Sequence, residues 1–193
     1  MQKYSLDQEK QKKLIRMTLE ETTRLNDLTN NILVSSQLEG GGYKFSKEEL
    51  DLSDLLKDRL QDFKTRCPER RFEEHIEPEI EVKGDPLLLQ MLINNLLENA
   101  IKYSGKEKPI TCTLKQHGKN IVLSVIDEGI GITGDEKKKI FEKFYRVGNE
   151  LTRKTHGTGL GLYLCRKIAT DHNAEIIVTD NKPGSIFTVI FQV

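Results

Sequence analysis

The sequence predicts an α/β sandwich, with helices laid on one face of a sheet and one long helix in front of it. Three observations carry that expectation. Residues 7–38 read as a single polar-rich helix that no breaker interrupts before Gly40-Gly41-Gly42. Residues 85–104 read as a second helix, apolar around most of its circumference. Around that second helix, helical stretches and pairs of strand-like runs alternate in blocks, the pattern of helices covering a sheet.

The long first helix is rich in Gln and Glu in its first half, and Leu25, Leu28 and Ile32 then mark an a/d-like seam. Leu14, Ile15 and Leu19 continue the seam upstream less regularly. A helix this long with so narrow a stripe is not stable alone, so the stripe needs a partner, either its own globular domain or other helices. Residues 45–52 suit a short strand or connector, and a helix follows from about residue 53 to 66. Residues 71–77 and 80–83 are strand-like, with Pro78 as a breaker between them. Asp85 can cap the next helix and Pro86 suits its first position. Residues 110–116 and 121–127 form a hairpin around His117-Gly118. A short helix over 135–141 and a longer one over 160–172 come next. Residues 174–180 and 185–193 close the chain as a hairpin across Lys182-Pro183-Gly184.

A chain of 193 residues holds one good domain plus an accessory element. Its 30 basic and 30 acidic residues balance, so no net field favours nucleic acid or an anionic membrane. Cys67, Cys112 and Cys165 are odd in number, dispersed and without metal-ligand spacing, which fits reduced thiols in a cytosolic setting. No apolar run approaches the ~20 residues of a spanning helix, and the amino end has no signal-peptide core. A cytoplasmic fragment without a membrane segment is expected.

On the 85–104 helix, at roughly 100° per residue, Asn95, Asn99 and Lys102 fall within about 60° of one another. Leu89, Ile93, Leu96 and Ala100 gather on the other side. So apolar a helix should be buried, and its amides at i and i+4 then face some polar partner; alone, the stripe also fits a solvated edge. Asp127 ends an apolar strand and is followed at once by Gly129 and Gly131. A carboxylate there can accept a hydrogen bond from an amino group, while the glycines let a flat ring approach the backbone. An ordinary Asx turn has the same local sequence.

Gly157-Thr158-Gly159-Leu160-Gly161 leads directly into a helix, where free N–H groups and the positive end of the helix dipole make an anion site. No strand immediately precedes this loop and its spacing is wrong for a dinucleotide fingerprint. The absence of a Gly-Lys-Ser/Thr signature argues against a Walker-type site. Residues 142–156, upstream of the loop, are rich in charge and poor in core residues. They suit a lid over phosphates, with Lys143, Arg146, Arg153, Lys154 and His156 as contacts, or a plain surface loop.

In this order, Asn95-Leu-Leu-Glu-Asn99-Ala-Ile-Lys102, Asp127-Glu-Gly129-Ile-Gly131 and Gly157-Thr-Gly159-Leu-Gly161 resemble the N box and two glycine boxes of sensor histidine kinases. Phe141-Glu-Lys-Phe144-Tyr-Arg146 looks like the family's F box. The resemblance runs over about residues 15–193. It implies the GHKL ATP-binding fold shared with gyrase, the heat-shock chaperone ATPase and MutL, a two-layer sandwich with a mixed, mostly antiparallel sheet.

The resemblance implies magnesium and ATP, with Asn95, Asn99 and Lys102 as the catalytic set. Asn99 would offer magnesium an amide oxygen, Lys102 would neutralise phosphate charge, and Asp127 would receive the adenine amino group. Tyr103, Gly129, Gly131, Ile132, Phe144, Arg146, His156, Gly157, Thr158, Gly159, Leu160, Gly161, Leu162 and Ser185 complete the implied nucleotide-binding set. Tyr103 and Phe144 also suit plain core packing.

Residues 1–42 would be the second helix of the dimerisation hairpin, and residues 43–193 the catalytic domain. Two such hairpins form a four-helix bundle, so a homodimeric, membrane-anchored parent and a cognate response regulator are the implied context. The family's acceptor is a His on the first hairpin helix, followed by an acidic residue and then Arg-Thr-Pro. His75, His117, His156 and His172 all lack that context and suit surface or capping roles. The acceptor helix is therefore expected outside this chain.

Related hydrolases carry a Glu at the place of Asn95, where it activates water; an amide cannot be a general base at neutral pH. That weighs against two same-superfamily alternatives, an ATPase and a serine kinase. A non-catalytic nucleotide-binding or dimerisation module is the alternative from another class. Thr133 for a frequent Pro, and Asn173-Ala174 for a frequent Gly-Gly, are the departures from the family pattern.

Overall fold

The structure is a computed structural model that describes residues 7–147 and 157–192. The chain divides into two compact units, with the boundary between Tyr43 and Lys44. In the first unit, α1 (Gln8–Glu39) is one helix of 32 residues, roughly 48 Å long at 1.5 Å per residue. It stops where the Gly40 N–H turns back to the Ser36 carbonyl at 2.9 Å. Leu14, Ile15, Leu19, Leu25 and Ile32 are each half or more exposed, or nearly so, along its length.

In the second unit, β1 (Glu48–Asp51) pairs antiparallel with β3 (Glu81–Gly84). A five-stranded sheet follows the order β2 (Phe72–Ile76), β4 (Ile110–His117), β5 (Asn120–Asp127), β7 (Ser185–Gln192), β6 (Ala174–Asp180). Only the β2–β4 pairing is parallel. The sheet is thus mixed and mostly antiparallel, as the sequence predicts. Sequence alone placed the two strand-like runs around Pro78 side by side in the chain, but they join different sheets. A breaker separates β2 from β3 and lets each find a distant partner.

Three helices cover one face: α2 (Leu52–Arg66), α3 (Pro86–Tyr103) and α5 (Gly161–Asp171). Period-2 alternation turns Ile121, Leu123, Val125 and Asp127 of β5 toward them and all four are buried, while Val122 and Ile126 stay half-exposed on the other face. Asp51 caps α2 by accepting the Asp54 N–H at 2.9 Å. Asp85 caps α3, its Oδ1 accepting the N–H groups of Leu87 and Leu88 at 3.1 Å each. Leu89, Ile93, Leu96 and Ala100 of α3 are at most 1% exposed, so this helix is the centre of the core. The short α4 (Glu136–Lys139) lies on the surface. Among the described residues, no helix is long and apolar enough to cross a membrane.

His172 departs from the expected surface role. It is 6% exposed at the end of α5. Its Nδ1 lies 2.7 Å from the Ile168 carbonyl and its Nε2 accepts the Asp85 N–H at 2.9 Å. That pattern places the proton on Nδ1, and burial holds the ring's pKa below its ordinary value.

Candidate functional site

The polar stripe of α3 lies between the two glycine motifs. Asn95, 9% exposed, donates through Nδ2 to the Met91 carbonyl one turn back, at 3.0 Å. Its Oδ1 then faces Gly161, where an added Cβ would come within 2.7 Å. Two turns along, the Lys102 ammonium sits over the Tyr103 ring at 4.8 Å from its centroid. The same ammonium would be 2.5 Å from a Cβ built on Gly157. One helix face therefore meets both ends of the 157–161 loop. Asn99, between them and half-buried, makes no side-chain hydrogen bond among the described residues.

Asp127 ends β5 and is 4% exposed. Oδ1 accepts the Gly129 N–H at 2.8 Å, the Asx turn its sequence allows. Burial raises its pKa, while hydrogen bonds from the amides of Gly129 and Ser185 oppose the rise. Ser185 pairs directly with Asp127 across the β5–β7 register and is itself buried. The Asp127 carbonyl is held from the side by Asn181 Nδ2 at 2.9 Å. Gly129 lies against the end of α3: an added Cβ would be 2.4 Å from the Tyr103 carbonyl oxygen.

At the other glycine motif, Gly159 adopts φ +74° and a Cβ there would lie 2.6 Å from the Phe144 carbonyl carbon. Phe144 is itself left-handed, at φ +65°, and its N–H donates to the Gly159 carbonyl at 3.0 Å. A strained Phe144 thus faces a glycine that takes the left-handed conformation without cost, as occurs where surrounding structure over-determines a segment. Gly159 has a packing requirement in addition to any need for phosphate to approach. Thr158 Oγ1 accepts the Leu160 N–H at 3.2 Å, Leu160 is buried, and Gly131, Ile132 and Leu162 are half-buried. Helix α5 then begins with no side-chain cap, so its first N–H groups point outward as donors to an anion.

Tyr103 is 37% exposed and Phe144 64% exposed, so core packing explains neither. The Lys143 ammonium lies 5.6 Å from the centre of the Phe144 ring and 5.7 Å from that of Tyr163. Arg146 is half-buried. Arg153, Lys154 and His156 fall outside the described residues. The structure thus brings Asn95, Lys102, Tyr103, Asp127, Ser185 and the glycines of both motifs into one connected region. Sequence reasoning missed Arg70 beneath it, one of two adjacent arginines between α2 and β2, with no motif to single it out.

For magnesium, the fit is to an ion carried on phosphates. No group of three or more His, Cys, Asp or Glu among the described residues forms a metal cage. A single amide oxygen from Asn99, with ligand phosphates and water supplying the rest, matches the way magnesium is held beside nucleotides.

A buried carboxylate at a strand end, a left-handed glycine loop opening a helix, and an Asn/Lys stripe joining them define a nucleotide-binding α/β sandwich. Residues 84–193 match the histidine kinase-, DNA gyrase B-, and HSP90-like ATPases, and the chain belongs to that family. Its relatives place it on the histidine kinase branch, as a histidine kinase ATPase domain. The sensor-like histidine kinase SenX3 of Mycobacterium tuberculosis is 29% identical over 187 residues, 95% of this chain and 45% of that protein. The sensor protein CiaH of Streptococcus pneumoniae is 42% identical over 120 residues, 62% of this chain and 27% of that protein. The chain therefore spans less than half the length of these curated relatives. Among solved structures, the histidine kinase ThkA in complex with the response regulator protein TrrA superposes with a TM-score of 0.73 at 26% identity, covering 98% of this chain and 53% of that one.

Proposed function

We propose that this chain is the ATP-binding catalytic region of a sensor histidine kinase that donates the ATP γ-phosphoryl group to a histidine, for onward transfer to a response-regulator aspartate. The observation that carries the reading is the placement of one α3 face against the 157–161 loop, Asn95 at Gly161 and Lys102 at Gly157. In this reading Asp127 receives the adenine amino group, with Gly129, Gly131, Ile132 and Ser185 around the base. Lys102, the first N–H groups of α5, Thr158 and the loop glycines hold the phosphates. Asn99 would hold magnesium through its amide oxygen, and the bound ion would supply further charge neutralisation at the phosphates. Tyr103, Phe144 and Arg146 border the nucleotide, and His156 belongs to the same set from the sequence alone.

Phosphoryl transfer needs positioning and charge neutralisation more than covalent chemistry, and both are what these side chains supply. Asn95 turns its amide back into α3. With no carboxylate there, water is not activated, and the γ-phosphoryl group waits for the histidine.

Residues 1–42 act as the second helix of a dimerisation hairpin, residues 43–193 as the catalytic domain, and the exposed apolar positions of α1 are covered in a homodimeric bundle. Because α1 carries no histidine, the acceptor lies on a helix outside these residues. The parent is membrane-anchored with this region on the cytoplasmic side, and its partner is a cognate response regulator.

The test is a split reaction. The chain is incubated with magnesium and labelled ATP, alone and with a separately supplied hairpin bearing the family's histidine. A high hairpin concentration compensates for the lost effective concentration of covalent attachment. Labelled hairpin, unlabelled chain and slow phosphate release are expected. Stable labelling of the chain alone would contradict the missing acceptor, and rapid phosphate release would favour an ATPase.

A further inference from the structure

Arg70 is 9% exposed, and every acceptor around its two terminal nitrogens is an uncharged oxygen. Nη1 reaches Ser104 Oγ at 3.1 Å, the Lys108 carbonyl at 3.1 Å and the Gly105 carbonyl. Nη2 reaches the Ile101 carbonyl at 3.0 Å and the Ser104 carbonyl at 3.3 Å. The last carbonyls of a helix have no partner within it and carry the negative end of its dipole, so a buried cation finds compensation there. Arg70 is therefore a cap supplied by a distant residue, 31 positions before Ile101.

What it caps leads straight to the nucleotide site. Ile101 and Ser104 flank Lys102 and Tyr103, and the Tyr103 carbonyl accepts the Ile130 N–H at 3.4 Å. Gly129 rests against the same carbonyl oxygen. From the turn that Arg70 also holds, the Lys108 ammonium reaches Glu128 at 3.3 Å. That pair is about 40% exposed on each side and contributes little by itself. The backbone contact at Tyr103 is the firmer link. Residues 101–108 thus form a strap, gripped from below by one guanidinium and touching the 127–131 loop at two points.

We propose that Arg70 is a positioning residue of the nucleotide site: by gathering the carbonyls of the strap it sets the Tyr103 carbonyl under Gly129 and Ile130, and Lys102 toward Gly157. A planar fork with donors in fixed directions can serve acceptors on both sides of the turn at once, which an ammonium cannot. Arg70 touches no substrate, and the inference rests on the ATP-binding reading above.

The test uses the full chain with Arg70→Lys, Arg70→Gln and Ser104→Ala, and Arg71→Gln as reference. The Arg71 side chain is 74% exposed and pairs with the nearby Glu73. Two quantities are read: amide hydrogen exchange at Ile130 without nucleotide, and affinity for magnesium-ATP by calorimetry. Both Arg70 variants are expected to speed exchange at Ile130 while the amides of Leu123 and Val125 stay protected. They are expected to weaken ATP binding roughly five- to tenfold, the effect of losing about one net hydrogen bond at the site. Ser104→Ala, which keeps the guanidinium, should fall between these and the wild type, and Arg71→Gln should match it. Equal Ile130 exchange in Arg70→Lys and wild type would overturn the proposal. So would a lowered melting temperature with wild-type ATP affinity, which would make Arg70 a residue of stability alone. Failure of the wild type itself to bind ATP would instead strike the nucleotide reading, and the exchange result would still show whether Arg70 governs the loop.

Discussion

The two ends of the site are built in opposite ways. At the Asp127 end, the carboxylate proposed to receive the base is continuous with the core: it lies on the same face of β5 as Leu123 and Val125, is 4% exposed, and is held by backbone amides of the next turn and the neighbouring strand. At the Gly157 end, the groups that matter are a half-exposed lysine from another element, an uncapped helix start and a loop of left-handed residues. The comparison teaches where each kind of recognition comes from. A flat base needs a rigid, dry acceptor, and a sheet supplies one as part of folding. A phosphate needs donors and charge that can close on it, and long side chains supply these with little help from the core.

Substitutions separate the two ends. The largest effect is expected beneath the Asp127 end, where Leu123→Ala should cost about 2–5 kcal/mol in urea unfolding because it opens a cavity behind the carboxylate. Lys102→Met, at the other end, should leave unfolding within about 0.5 kcal/mol yet weaken ATP about ten- to a hundredfold by removing a charge-assisted contact. Its effect on adenosine should be much smaller, and equal losses for ATP and adenosine would break the assignment of Lys102 to the phosphates.

A smaller effect is expected from pH at His172, which ties α5 to the Asp85 cap of α3. Burial lowers its pKa in the fold, Lys47 lowers it further, and the Ile168 carbonyl, Asp85 and Asp171 act the other way. The unfolded chain, with a histidine near pKa ~6.5, therefore binds the proton first as pH falls, so stability should drop below about pH 6.5. The melting temperature of His172→Gln should lack that part of the slope, and an unchanged slope would remove His172 as its source.

Smallest is a labelling difference without energetic consequence. Burial pushes the Cys112 thiol up to about 12, helped by Glu74, and raises that of Cys165 as well. A thiol reagent on the native chain should therefore modify Cys67 alone, the one half-buried cysteine of the three.

Much of this was legible in the chain because it is carried by local patterns. The cap and proline at the start of α3, the alternation of β5 and the glycine-rich entry to α5 each have a period or a breaker to read. The pairing of β2 with β4 was not legible, since parallel partners 38 residues apart leave no turn signal between them. Arg70 and His172 escaped for the same reason: their importance lies in carbonyls and amides of distant segments, which side-chain sequence does not record. The left-handed Phe144 opposite Gly159 is a further case, because a non-glycine residue at positive φ is set by its surroundings and not by its own preference. Legibility thus followed the two ends of the site only in part, and stopped wherever backbone from one element completes another.

The most direct test of the account is calorimetry with magnesium-ATP and magnesium-GTP on the wild-type chain and on Asp127→Asn. The wild type is expected to bind ATP in preference to GTP. Asp127→Asn should lose about ten- to a hundredfold for ATP, the worth of a buried hydrogen bond to a charged acceptor, and lose the preference with it. Equal ATP affinity in the two proteins, with the preference for ATP intact, would contradict the placement of the base at Asp127.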